Sequence, residues 1–539
     1  MQKKAGCCII NRSFSAGTHR GEGLFGGRTA GNGGSMLKEK FTAIAEKPAV
    51  QKILGFFDGP VYPAVYAALA LITSVFGLEL PFFVLTALAV LFVCLFADDV
   101  RSLFVPVVMM TMGRSWKHAS FAPYRSDFLS RPYVIAVLCV VGAVVAAALL
   151  WRLIAWRGEH NFFKDKSAYK WGIAAVSAAF LLNGAFFSGW VLSDLLLGLL
   201  YVAAFFGLYI FFFNTLRRRE GLGMYAARVL FCALCLILVQ LAWVFAAEGA
   251  VQGGTIDKDR VITGWGVANH IGARIAIFLP ACFYLSMKSR RGWVFYVCGF
   301  VFFGSILLTL SRTAALIGGV ALVVMAVYLS VVKTPCRKFI RIFNIACVAA
   351  AAVFAAVFRA KIEEVFAVFF ERGFDDMGRF FIWKSGIKNF LRAPVFGVGF
   401  CEPIAPGFTI GSGEGMFPDM YHNIFVQMLA SCGVVGLAAF AFHLVQFART
   451  ALRKGITAER LFSVAVVCVI LATNLLDVHL FLPTVTVVYS VFLLFTELAP
   501  VSGTPAEGSA RPEAEKEAEA PVPPVGGATA EESKTTDAE

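Results

Sequence analysis

The sequence predicts an all-α, polytopic helical membrane protein with about 12–14 transmembrane helices and one long outer loop. Composition is the first reason: 58% of its 539 residues are hydrophobic and 15% are charged, whereas a soluble domain is roughly 45–50% apolar and about 25% charged. The second is patterning. The mean hydropathy is +0.74, and the apolar residues gather in blocks of roughly 18–25, the length that crosses a bilayer core as a helix. The third is backbone chemistry: peptide groups in lipid must bond within their own segment, so blocks of this kind are helices.

Along the chain, residues 1–59 read as a cytoplasmic-type or disordered N-terminal region. Residues 1–35 are Gly-rich and basic and read as disordered, and Met36 opens an amphipathic stretch, MLKEKFTAIAEKPAVQKIL, as a possible start. Residues 60–499 form the transmembrane domain. Its apolar blocks lie near 61–78, 81–97, 133–156, 171–188, 191–213, 228–247, 267–287, 292–310, 313–332, 339–358, 422–447, 461–480 and 483–499, with a shorter run at 102–112 that suits a short span or half-helix. Residues 500–539 are rich in Ala, Pro and Glu and carry nine acids against three bases. Such a tail is too polar to build a core and reads as disordered and acidic.

The tail's net −6 against the chain's +13 leaves +19 for the rest. In a membrane protein this excess reports topology rather than nucleic-acid binding, because Lys and Arg stay in cytoplasmic loops. Four basic clusters are present: Arg217 to Arg219; Lys288, Arg290 and Arg291; Lys333, Arg337, Lys338 and Arg341; and Arg449, Arg453, Lys454 and Arg460. Alternating blocks put all four on one side and place 248–266, 311–313, 359–421 and 480–483 outside. Of 13 cysteines most lie in apolar blocks, and Cys401 stands alone in the one long polar loop, which holds no disulfide framework and no CxxC metal pattern. Neither a metal nor a cofactor is expected.

The connection 359–421 is long enough to imply function rather than mere linkage. Its middle, RFFIWKSGIKNFLRAP, spaces Phe380, Trp383, Ile387 and Phe390 as a helix does. This helix should end before Pro394 and lie on the outer leaflet with its apolar stripe in lipid.

Three segments carry a family pattern: LLTLSRTAALIGG at 307–319, GRFFIWKSGIKNFLRAPVFGVGF at 378–400, and YHNIFVQMLASCGVVGL at 421–437. They resemble the O-antigen ligase and O-antigen polymerase family in a span ending in Ser-Arg, an Arg before a Trp in a long outer loop, a Pro-x-x-Gly-x-Gly turn, and a His-Asn pair opening the next span. GWGVANHIGARIAIFLP at 264–280 fits the family's Asn-bearing span, so the likeness covers residues 260–445. It implies about a dozen helices and a metal-independent, inverting glycosyl transfer. The donor would be a glycan on a polyprenyl diphosphate such as undecaprenyl diphosphate, and the acceptor a lipid-anchored sugar, another glycan or a protein. It also implies a place in the cytoplasmic (inner) membrane of a bacterium, with the active site facing outward and membrane lipids around it. Ligase and polymerase share these motifs.

The residue types suit that chemistry. Arg312 lies where an apolar block meets the outside, and Arg379 opens the loop helix. Each is either a solvated or snorkelling side chain or a planar fork of donors for the diphosphate. A histidine side chain can be neutral at working pH, so His422 could take the proton of an acceptor hydroxyl, or orient it. Asn423 could fix the His422 ring or cap the helix. Gly397 and Gly399 allow a turn that brings the loop back over the cavity. Arg274 is an intramembrane charge and so a substrate-binding candidate, as is Asn269 from the resemblance. Asp98 and Asp99 read as a solvated span end. A different class, a flippase or transporter for lipid-linked glycan, would show two related halves with broken helices, and no such repeat is visible.

The topology is testable by labelling intact cells. Tags at residues 220, 335 and 455 should be inaccessible from outside, and tags near 255 and 410 should be labelled; outside labelling at 335 overturns the map.

Overall fold

A computed structural model describes residues 32–114, 131–155, 161–217, 221–247, 249–252, 255–360, 363, 378–404, 420–453 and 455–499. The disordered readings of residues 1–31 and of the tail from 500 lie outside the described residues, whereas residues 32–35, also read as disordered, form the first turn of a helix. The described chain is almost wholly helical. In order it contains α1 (Asn32–Ala45), α2 (Pro48–Asp58), α3 (Tyr62–Phe76), α4 (Glu79–Phe96), α5 (Phe104–Met109), α6 (Pro132–Ala155), α7 (Lys170–Leu181), α8 (Leu192–Val202), α9 (Leu208–Thr215) and α10 (Leu222–Ala247). Then come α11 (Ala268–Phe278), α12 (Pro280–Lys288), α13 (Gly292–Leu308), α14 (Arg312–Val331), α15 (Arg337–Val357), α16 (Arg379–Arg392), α17 (Ile424–Ala451), α18 (Ala458–Thr473) and α19 (Pro483–Leu498). Between α10 and α11 the pairs β1 (Val251–Gln252) with β2 (Thr255–Ile256) and β3 (Ile262–Thr263) with β4 (Gly266–Val267) form two short antiparallel ribbons.

Among the described residues eight helices are long and apolar enough to cross a membrane, a ninth span is possible if α2 and α3, bent by 78°, count as one, and four further apolar helices are shorter. Every apolar block read from the sequence coincides with a helix. The run at 102–112 is a broken unit of two 3-10 turns around α5, largely buried. Two boundaries are corrected. The block 171–188 is helical only to Leu181, where α7 ends. The block 461–480 is not helical throughout, because α18 stops at Thr473 and residues 474–482 form a turn that includes a 3-10 segment, His479–Phe481. Asn474 accepts from the Leu480 amide at 2.7 Å, and Asp477 accepts from the Val478 amide at 2.9 Å, so these side chains satisfy the backbone locally in competition with the helix. Asp98 and Asp99 also part company. Asp98 is exposed, but Asp99 is buried and accepts from the Val100 and Arg217 amides.

Burial separates centre from rim. The α11–α12 span is 89% buried and packs against α10, α13, α14 and α18, whereas the α15 window is 6% buried and the α6 window 11%, so these two face lipid. The loop helix α16 spans the expected residues and ends before Pro394. Its buried face is the small and polar one, Ile382, Ser385, Gly386 and Asn389. Phe380 (63% exposed) and Ile387 (42%) stay on the outside of the fold, where the outer leaflet would meet them. A Cβ on Gly386 would stand 2.9 Å from the Tyr421 ring, so the glycine is what lets α16 lie against α17. Asn389 then donates to the Tyr421 hydroxyl at 2.9 Å.

The most consequential local feature is a break in α17. Gly433 has φ +65 and ψ −162, far from helical values. The backbone groups this frees are taken up by the chain that follows α16. Val398 and Gly399 amides donate to the carbonyls of Ala430 and Ser431 at 2.8 and 3.1 Å, and the Val434 and Val435 amides donate to Pro394 and Val395 at 2.9 and 3.2 Å. Gly433 lies ten residues into the span, about 14 Å along its axis at 1.5 Å per residue. Segment 394–399 therefore descends beside α17 instead of lying across its mouth. Its other edge is held by α7 and α8: the Gly184 amide donates to Phe396 at 2.9 Å, the Phe400 amide to Asn183 at 3.2 Å, and the Cys401 amide to Asp194 at 2.7 Å.

Gly397 has φ +73, and a Cβ there would stand 2.3 Å from the Ser431 carbonyl carbon. Gly397→Ala should therefore destabilise the fold by about 1–3 kcal/mol or more, read as a lower melting temperature and less folded protein in the membrane. A normal melting temperature with only donor binding lost would return Gly397 to a substrate-contact role.

Candidate active site

Three helix starts carry the candidate residues, and each follows a backbone position with left-handed φ. Leu310 (φ +54) precedes Ser311 and Arg312; Gly378 (φ +80) precedes Arg379; His422 itself (φ +52) precedes Asn423. These conformations turn the chain sharply into α14, α16 and α17. For Leu310 and His422 they are sparsely populated and cost of order 1–3 kcal/mol each. Ser311 caps α14 by accepting from the Ala314 amide, and Asn423 caps α17 by accepting from the Phe425 and Val426 amides. Asn423 also donates to the Leu475 carbonyl at 3.0 Å, which ties it to the 474–482 turn rather than to the His422 ring. Arg312 and Arg379 are each the first residue of a helix, where the macrodipole disfavours a cation and favours an anion.

His422 does have a partner, and the sequence reading missed it. Its Nδ1 lies 2.8 Å from Asp477 Oδ1. Asp477 is only 5% exposed and His479 only 2%, and His479 Nε2 stands 3.5 Å from Asp477 Oδ2. Beyond it the rings of His479 and His270 meet edge to face, with centroids 5.4 Å apart. Burial opposes charge on Asp477, but His479, the hydrogen bond with His422 and the neighbouring His270 outweigh it and hold the carboxyl well below the usual carboxylate range. Burial pushes the His479 imidazole below its ordinary value, with Asp477 opposing and Arg274 assisting. An ionised Asp477 accepting from Nδ1–H leaves His422 Nε2 as the proton acceptor. The sequence did hold a trace of this: an acid and a His two residues apart, Asp477 and His479, in an otherwise apolar block.

Arg274 is 4% exposed. It donates to Thr484 Oγ1 at 2.7 Å and the His270 carbonyl at 3.1 Å, and its guanidinium carbon lies 4.8 Å from the centre of the Trp265 ring. These contacts brace the floor beneath the histidines. Arg274 and Arg379 both act electrostatically on His479. Arg312 and Arg379 both act on Lys258, in the turn between the two ribbons. The structure thus brings Arg274, Arg312, Arg379 and His422 into one neighbourhood, with Asp477 as its buried acid. Asn269 is the second residue of α11 and half-buried, and among the described residues its side chain makes no hydrogen bond. Gly397 and Gly399 serve packing: a Cβ on Gly399 would meet the Asp194 carboxylate at 2.5 Å. Among the described residues no three His, Cys, Asp or Glu side chains gather to hold a metal ion.

Residues 275–441 match the family described as Wzy_C: O-Antigen ligase. No curated protein matches the chain. The matched segment runs from α11 into α17, taking in Arg312, Arg379, His422 and Asn423 and stopping short of Asp477. Its presence supports a role in glycan transfer for surface polysaccharide. The chain carries an O-antigen ligase family domain at residues 275–441.

Proposed function

We propose that the protein transfers a glycan from a polyprenyl diphosphate carrier to a lipid-anchored or glycan acceptor at the outer face of the cytoplasmic membrane. The observation that carries this reading is the His422–Asp477 pair, 2.8 Å apart, set in the neighbourhood of arginines at two helix N-termini. The acceptor hydroxyl oxygen attacks the sugar's anomeric carbon while the bond from that carbon to the diphosphate oxygen breaks. His422 Nε2 takes the hydroxyl proton, and Asp477 stabilises the imidazolium through Nδ1–H. Arg312 and Arg379 hold the diphosphate as bidentate forks and stabilise the charge that grows on it as it leaves. Attack on the face opposite the leaving group inverts the anomeric centre. The two guanidiniums supply the positive charge that a divalent ion would otherwise provide, so the transfer needs no metal in this reading.

His422→Ala should stop transfer while donor binding persists. Asp477→Asn keeps the shape but loses the charge, and should lower the transfer rate on the order of 10²–10⁴-fold, measured on purified protein with lipid-linked glycan. Normal transfer by Asp477→Asn would remove the pair from the mechanism, and loss of donor binding in His422→Ala would reassign that residue to positioning the donor.

Arg312→Lys and Arg379→Lys retain charge but lose the planar fork. At normal membrane levels each should lose most transfer, and wild-type rates from either would dismiss the bidentate clamp.

A further inference from the structure

Lys258 lies on the outer connection between α10 and α11, outside the matched family segment, and the sequence reading did not single it out. We propose that Lys258 is a third donor-binding cation, which takes the diphosphate of the lipid-linked donor together with Arg312 and Arg379. This rests on the glycan-transfer reading above and adds a residue from a different part of the chain.

Position comes first. Lys258 opens a 3-10 turn, Lys258–Arg260, whose shape is fixed from both ends. The Asp257 amide donates to the Ala250 carbonyl at 2.8 Å, and the Asp257 carboxylate accepts from the Asp259 amide at 3.1 Å. Val261 and Trp265 are buried on the far side, and β4 runs directly into α11. The first turns of α11 touch the turn that presents Arg312: a Cβ on Gly272 would lie 3.1 Å from Ser311 Cβ. The turn bearing Lys258 is thus built onto the same framework as Arg312.

Charge comes second. Lys258 is half-buried and within electrostatic reach of Arg312, Arg379 and Asp477. Its carbonyl accepts from the Val261 amide at 3.1 Å, and its ammonium makes no hydrogen bond or ion pair among the described residues. Of the acids that act on it, Asp477 is paired with His422 at 2.8 Å and Asp259 is its exposed chain neighbour, while Asp257 pairs with Arg260 at 3.1 Å. Burial, followed by Arg312, pushes the ammonium below the ordinary lysine range. Three cations from three separate elements repel one another, and a fold that keeps them together gains by binding a multiply charged anion there. A diphosphate has the charge and the number of oxygens to engage two guanidinium forks and one ammonium.

The test is binding of inorganic pyrophosphate and of farnesyl diphosphate to the purified full chain, with melting temperature as the folding control. Lys258→Met should weaken both about ten-fold with an unchanged melting temperature, and Lys258→Arg should recover most of the loss. Lys258→Gln replaces the Met variant if that one melts early. Wild-type affinity in Lys258→Met or Lys258→Gln, with Arg312→Ala weakened, overturns the role of Lys258 alone. Wild-type affinity in Arg312→Ala as well overturns the diphosphate clamp on which it rests. Equal loss in Lys258→Met and Lys258→Arg would also reject the proposal, since charge would not be what the site uses.

Discussion

The architecture depends on how the broken backbone of α17 is satisfied. Inside a bilayer no water is available, and each unpaired amide or carbonyl costs several kcal/mol. Gly433 opens the helix, and segment 394–399 closes the gap with two hydrogen bonds on each side of it. Those bonds fix where α16 ends, and the segment's other edge is pinned by Asn183, Gly184 and Asp194. The α7–α8 pair, the loop helix and α17 are therefore one mechanical unit. His422 sits at its upper end, and its backbone is held in a left-handed conformation that an unsupported chain would relax.

Charge is organised on the same unit by an unusual rule. Cations stand at the first positions of α14 and α16, where the helix dipole opposes them, so helix stability does not explain their placement. Among the described residues the acid in contact with His422 is Asp477, which arrives from a turn 55 residues further on. Two helix starts from within the family domain and one turn from beyond it thus meet. The domain limits of residues 275–441 do not enclose the full set of groups that face one another.

Much of this was legible in the sequence, for identifiable reasons. Blocks of lipid-length hydropathy found the helices, because the bilayer leaves them no alternative. The limits of α16 followed from its periodicity and from Pro394. Arg312, Arg379 and the His422–Asn423 pair were found because each marks a local boundary. Asp477 was not found, because its turn was read as the end of a span: hydropathy averages over two polar residues, and only the Asn474 and Asp477 side-chain bonds show that the helix has stopped. The buried face of α16 was also hidden. Phe380 and Ile387 of its apolar stripe face outward while Trp383 packs against the buried cluster, and close approach to the protein goes through Gly386, whose importance lies in Tyr421, 35 residues away. Hydropathy gave no sign of the α17 break, since Gly433 sits in an unbroken apolar run whose partner lies far upstream.

The order of the chain gives the break a further meaning during biogenesis. The residues that fill the gap, 394–399, leave the ribosome before the span that contains it. A bare α17 entering the bilayer would expose the Ala430 and Ser431 carbonyls to lipid, while a hairpin of segment 394–399 with α17 exposes neither. Insertion is thereby favoured as a pair, and the span cannot reach its final depth ahead of its filler. By the same coupling, a residue altered on one side of this hairpin alters the insertion energy of the other.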